Sequence, residues 1–268
     1  MANNIKQFEA FSTKELVTKD KYYLLLEGDL NENLYDEVSD FGFMVSKCWV
    51  YEYTEFDDEK EHGPLLVEID ADNKLLEHFI NHWSQQHMGV IISTKVSLEE
   101  LIEHLLDLRY VTIPNVDPLQ KVLFRWYEPR QLFGVLSGFD KKQTAYFMHI
   151  ITSISWCEWA YDQGIWYQII KPEVGNEDQE SVNKFVAPLA IEQNTLDVMG
   201  IHDANYYARE VTREIIDEHP SILKKGSEEK LQDSVLNQTR LAISKGIDRR
   251  NDIKAFICDN INLEVEKT

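Results

Sequence analysis

Cysteine is scarce in this chain of 268 residues. Cys48, Cys157 and Cys258 form an odd, widely spaced set with no Cys-x-x-Cys pair. That excludes a disulfide framework and suits thiols buried as small hydrophobes in a reducing compartment. Glycine is sparse as well, with 11 residues scattered along the sequence. Neither G-x-x-x-x-G-K-[ST] nor G-x-G-x-x-G occurs, so the run of backbone N–H groups that cradles a phosphate is missing and no nucleotide site is expected. Gly134-Val135-Leu136-Ser137-Gly138 comes near the serine-hydrolase elbow G-x-S-x-G, but its serine stands one position too late. Long apolar runs are absent too: Tyr22–Leu26 is strand-sized, far short of a bilayer span. Met1–Asp20 has no apolar h-region, so no signal peptide is expected and a cytoplasmic location is. Positive charge is in deficit: 27 basic against 47 acidic residues give a formal net of −20. Nucleic acid and anionic membranes would be repelled, which leaves acidity as a solubility device or as a match for a basic partner.

What is present is core-forming material. Hydrophobic residues make up 43% of the chain and charged residues 28%, so it folds. Strands are read at Lys21–Gly28, Trp49–Phe56, Leu65–Ile69, Val90–Ile92 and Lys121–Tyr127, each bounded by turn residues. Asn73–Gln85 carries Leu75, Leu76, Phe79, Ile80 and Trp83 on one helical face. Ser97 and Glu100 form a capping box that opens another helix. Alternating strand and helix argues for an α/β layer on a largely parallel or mixed sheet. Ile151–Tyr161 and Ile165–Ile170 flank Asp162-Gln163-Gly164 as a hairpin. Helices are expected over Gln193–Glu218, over Glu228–Lys245 with Gly246 as cap, and from Asp248. The expected organisation is an α/β lobe with a mixed sheet over residues 1–173, a linker at 174–184, and a smaller all-helical lobe over 185–268.

Few residues suggest chemistry. His78 and His82 share a helix face at i and i+4, the spacing of a metal-dependent hydrolase, yet Phe79 stands where such an enzyme needs a glutamate. With apolar neighbours at Leu75, Phe79 and Trp83, the two rings read first as packed histidines, so no metal is expected. Glu27 and Asp29 at a strand end read as solvated carboxylates at a turn rather than as a catalytic pair. Cys157 reads as packing. Trp156, Trp159, Tyr161, Trp166 and Tyr167 crowd two strands whose side chains alternate between faces. They cannot all face one interior, which makes Trp156, Trp159, Trp166 and Tyr167 candidates for protein binding, either against the helical lobe or against a partner. The acidic stretch from Glu52 to Glu61 reads as a solvated loop first and a docking patch second.

The segment Phe124-Arg125-Trp126-Tyr127-Glu128-Pro129-Arg130 is similar to the Arg-Phe-Tyr-Asp-Pro-Arg signature of the type VI secretion effector chaperone/adaptor family. Other pieces resemble that family in the same order: Tyr22–Asp29, Gly63-Pro64-Leu65-Leu66-Val67, Trp83 with Gly89 and Ile91-Ile92-Ser93, Leu101 through His104-Leu105 to Arg109, and Ala242–Phe256. Glu128 stands where the family has aspartate, and Leu106-Asp107 displace Arg109 from its usual place after His104-Leu105. The resemblance implies a bacterial cytoplasmic protein without catalysis or cofactor. Its partners would be one cognate effector and the secretion spike or its tip. The motif residues Arg125, Tyr127, Glu128, Pro129 and Arg130 would then either shape the fold or touch a partner. A toxin-neutralising immunity protein is the remaining alternative.

Overall fold

The computed structural model describes residues 5–8, 11, 20–42, 46–70, 74–114, 116–117, 120–160, 163–173, 175, 188–224, 227–247 and 249–261. These fall into two compact units, one of residues 1–159 with 164–199 and one of 160–163 with 200–268.

The first unit is built on a seven-stranded sheet of order β1-β9-β8-β5-β2-β4-β3. Its strands are β1 (Lys6–Phe8), β2 (Lys21–Glu27), β3 (Lys47–Trp49), β4 (Pro64–Ile69), β5 (Gly89–Thr94), β8 (Ile151–Ala160) and β9 (Gln163–Ile170). β2 lies near the middle and is apolar from Tyr22 to Leu26 because both of its faces are buried. Tyr23, Leu25, Ile92, Ile154 and Trp156 pack on one face beneath α3 (Leu98–Asp107), α4 (Pro129–Gly138) and α5 (Lys141–Met148). Tyr22, Leu24, Leu26, Val67 and Ile91 pack on the other beneath α1 (Leu34–Asp40) and α2 (Lys74–Asn81). The result is a three-layer α/β/α arrangement.

The α/β class therefore stands, but alternation of strand and helix misleads about strand direction. β4 and β5 both pair with β2, each antiparallel to it. They run parallel to one another with β2 inserted between them, and α2 makes the crossover over that strand. The remaining registered pairings of this sheet are antiparallel as well. The parallel pairing is in a small second sheet of order β10-β6-β7, where β10 (Leu189–Ala190) runs parallel to β6 (Tyr110–Thr112) and β7 (Val122–Leu123) runs antiparallel to it.

Two strands shorten relative to expectation. Strand structure stops at Trp49, because Tyr51 and Phe56 turn inward to meet at 5.3 Å and Tyr53 takes a left-handed φ of 60°. Lys121–Tyr127 keeps only β7, since Trp126-Tyr127 form a turn closed by the Glu128 N–H on the Arg125 carbonyl, 3.1 Å away. The hairpin turn expected at Asp162 and most of the linker expected at 174–184 lie outside the described residues.

The second unit holds most of α6 (Gln193–Glu218), with α7 (Glu228–Ser244) and α8 (Arg250–Asn260). Ala208, Val211, Ile215, Val235, Ala242 and Ile257 form its core. Ser227 caps α7, and Gly246 follows it at a φ of 78°, the left-handed conformation that glycine takes without penalty. No described helix is long and apolar enough to cross a membrane.

Candidate functional site

Glu27 closes β2, and the chain then turns sharply through a single 3-10 turn, Gly28–Leu30. A side chain at Gly28 could not be accommodated, since its Cβ would come within 2.1 Å of the Glu61 carbonyl oxygen. Asp29 N–H reaches back to Glu27 Oε1 at 3.3 Å. The two carboxylates differ: Asp29 is exposed, as its place at a turn suggests, whereas Glu27 is 3% exposed, which corrects the expectation for that residue. A carboxylate buried this deeply needs a counter-charge. Arg125 supplies it, with Nη2 2.6 Å from Glu27 and Nη1 2.9 Å from Asp29. His62 Nδ1 meets the other Asp29 oxygen at 2.9 Å. Burial pushes the Glu27 pKa up while the Arg125 hydrogen bond and charge pull it back, leaving it above the ordinary carboxylate value. Burial also opposes the Arg125 charge, but Glu27 more than offsets this, and the guanidinium stays charged.

Of the rest of the motif, Trp126, Tyr127 and Pro129 are buried, while Arg130 is exposed. Trp126 is buried edge-on against Phe147, with ring centroids 5.1 Å apart. Tyr127 is buried with its hydroxyl facing Tyr51, and burial raises its pKa. Pro129 occupies the first turn of α4, where its missing N–H costs nothing. Glu128 sits at the helix N-cap, yet its side chain pairs with Arg130 and accepts from Gln131 Nε2 at 3.1 Å.

Around these residues opens a groove of about 580 Å³. Glu27, Arg125, Glu128 and Arg130 stand on one side of it. Val111, Ile113, Val122, Leu123 and Phe124, in or beside the small sheet, also line it, as do Ile191, Leu196 and Met199. Gln86, His87 and Gln131 line it as well, so its surface is mixed and only slightly more apolar than polar, and every carboxylate among the four motif-side residues has a cation within the same set. Leu30 and Leu123 on its margin are 53% and 42% exposed.

The aromatic hairpin, by contrast, is interior. Trp156 stacks on Tyr167 at 5.5 Å in the core under α3 to α5. Trp166 lies 4.9 Å from Phe11 in the core on the opposite face. Trp159 is half-buried, and its backbone N–H donates to His87 Nε2 at 3.2 Å. Alternation does send the rings to opposite faces, but helices cover both faces. Trp156, Trp166 and Tyr167 thus present no binding surface. Cys157 is buried, and burial pushes its thiol up to about 12, far from a reactive thiolate.

His78 and His82 stand 4.8 Å apart, with His78 edge-on to Trp83 and near Phe41. Among the described residues no group of three His, Cys, Asp or Glu side chains is arranged to hold a metal ion. A buried histidine that sequence reading placed only within a motif turns out to be structural: His104 Nε2 meets the Phe147 carbonyl at 2.9 Å, tying α3 to α5. Its burial lowers the pKa to about 4. The groove itself was not foreseen, because its walls come from five stretches distant in sequence. The helix α5 was missed as well, although Asp140 and Gln143 spell a capping box at its start.

Residues 22–146 match a family model described as a domain of unknown function, DUF4123. The match runs from the start of β2 into α5 and takes in Glu27, Asp29 and the whole Arg125–Arg130 motif, a little under half of the chain. No curated protein and no solved structure matches the sequence.

Proposed function

We propose that this chain is a non-catalytic adaptor of bacterial type VI secretion. It would bind one cognate effector in the cytoplasm and deliver it to the spike protein or its tip. The observation that carries the reading is the setting of the motif. Arg125, Glu128 and Arg130 border an open groove of mixed apolar and polar lining, and their charges are matched by Glu27, Asp29 and one another. A hydrolytic site needs a polar group poised toward substrate with a proton to move. Here the buried carboxylate is locked to an arginine, and the apolar wall suits grip through area. The family match over 22–146 and the ordered motif resemblance support the same reading. The metal-dependent hydrolase and immunity-protein alternatives gain no comparable support, the first having two histidines without a third ligand among the described residues.

The test is affinity capture with the tagged full chain from its native host under secretion-active conditions. Recovery of one effector together with a spike component is the expected result. Recovery of neither overturns the proposal. Measured turnover of a substrate, abolished by Glu27→Gln without loss of folding, would overturn its non-catalytic part.

A further inference from the structure

The groove has one wall of unusual geometry. Val122, Leu123, Phe124 and Arg125 are consecutive, and all four line it. Side chains of neighbouring strand residues point to opposite faces, so Val122 and Leu123, the two residues of β7, could not both line a cavity lying on one face of the sheet. Lining by an unbroken run places the cavity along the strand's edge. The topology agrees: among the described residues β7 is an outer strand of its sheet, paired on one side with β6. The Phe124 N–H donates to the Arg109 carbonyl at 2.8 Å, so Phe124 turns its backbone groups toward β6 and Leu123 turns its own the other way. An outward-facing strand edge is a ready template for another chain.

We infer that β7 receives an extended segment of a partner protein as an added strand, with alternate apolar side chains seated in the groove and basic residues on its flanks. This rests on the adaptor reading and names the chemistry of what is gripped. Apolar side chains follow from the walls, above all the exposed Leu30 and Leu123 and the adjoining Ile113 and Met199. Basic flanks follow from charge. Arg125 and Arg130 are matched within the motif, and Glu32, Glu192 and Asp197, exposed within two residues of lining positions, outnumber the exposed Lys121 beside Val122, in a chain of net charge −20. Backbone pairing supplies register and the pockets supply sequence preference, the division of labour in strand-addition recognition.

The probe is a short synthetic peptide of alternating leucine and lysine, labelled and titrated into the full chain. Three controls accompany it: a serine-for-leucine version, a glutamate-for-lysine version, and a shuffled version with leucines at helical spacing. The alternating basic peptide is expected to bind, and each control to bind about tenfold or more weakly. The chain with Leu30→Ser and Leu123→Ser should lose about tenfold for the alternating peptide. Both positions are exposed, so melting temperature should hold, and Leu30→Ser or Leu123→Ser alone serves as the check if it does not. Equal binding by the serine version or by the substituted chain overturns the inference, as does tighter binding of the helical-spacing peptide. These failures leave the adaptor reading intact if the substituted chain still captures the effector; loss of capture by the unaltered chain overturns the reading itself.

Discussion

Charged side chains are handled in opposite ways in the two units. In the first, one arginine neutralises a carboxylate sealed under the end of β2, with Glu27 almost wholly out of water. In the second, Arg250 and Lys254 on α8 form a ladder with Glu210, Glu214 and Glu218 on α6, every member at least partly in solvent. The contacts have similar lengths, 2.6 to 2.9 Å for Arg125 and 2.8 to 3.0 Å for the ladder. Length therefore does not rank them; burial does. A sealed pair gains little over an apolar substitute, but removing one partner strands the other without water. An exposed pair loses almost nothing to solvent when it breaks.

The sharpest way to break that contrast is Arg125→Ala. It leaves Glu27 unpaired on the wall of the groove, and because Arg125 is itself 39% exposed the expected loss is discounted from that of a fully buried pair to about 2 to 3 kcal/mol of folding stability by urea denaturation. Adding Glu27→Gln to the same chain should restore a large part, because the stranded charge is gone. A loss below about 1 kcal/mol, or no recovery in the double variant, would place Glu27 in contact with water after all.

A second buried group extends the comparison to pH. His104 stays neutral in the folded chain down to about 4, whereas the unfolded chain takes up its proton below the ordinary histidine value of 6.5. Between those limits the unfolded state binds more protons, so stability falls as pH falls. The His104 contribution is complete above pH 6.5, lost progressively toward pH 4 and flat below. The loss is about 3 kcal/mol. Carboxylates titrate in the same range, so the measurement is the difference between the unaltered chain and His104→Gln, which can still donate toward the Phe147 carbonyl. Parallel stability curves for the two chains would show that His104 does not titrate across the unfolding transition.

How much of this was legible in the residues follows the range of the interactions. Helix ends set by neighbouring residues could be read: the Ser97–Glu100 box and Gly246 after α7 stand where the sequence put them. The apolar run Tyr22–Leu26 announced a strand buried on both faces. The sealed state of Glu27 could not be read, because its counter-ion is 98 positions away and arrives through a turn that the motif itself makes. The aromatic hairpin misled for a related reason. Alternation fixes which face a ring takes but says nothing about what covers that face, and here helices cover both. The groove lay furthest from view, since a cavity is defined by the elements that fail to fill it.

The smallest expected effect tests the other side of the contrast. Arg250→Ala removes contacts to Glu210 and Glu214 and a guanidinium lying 5.2 Å over the Tyr207 ring. Lys254 remains within 3.0 Å of Glu214, and the Tyr207 hydroxyl still donates to the residue 250 carbonyl. Glu214 keeps a pKa below the ordinary value: its partial burial works against this, but its cations prevail. With water free to replace what is lost, the expected cost is about 1 kcal/mol or less, read as earlier hydrogen exchange in α8. Raising salt from about 0.1 M to about 1 M should narrow the gap between the two chains, since screening shortens from about 10 Å to about 3 Å. The Arg125→Ala deficit should change far less under the same salt, because Glu27 is out of reach of counter-ions. Equal salt sensitivity at the two sites would mean that burial does not separate them.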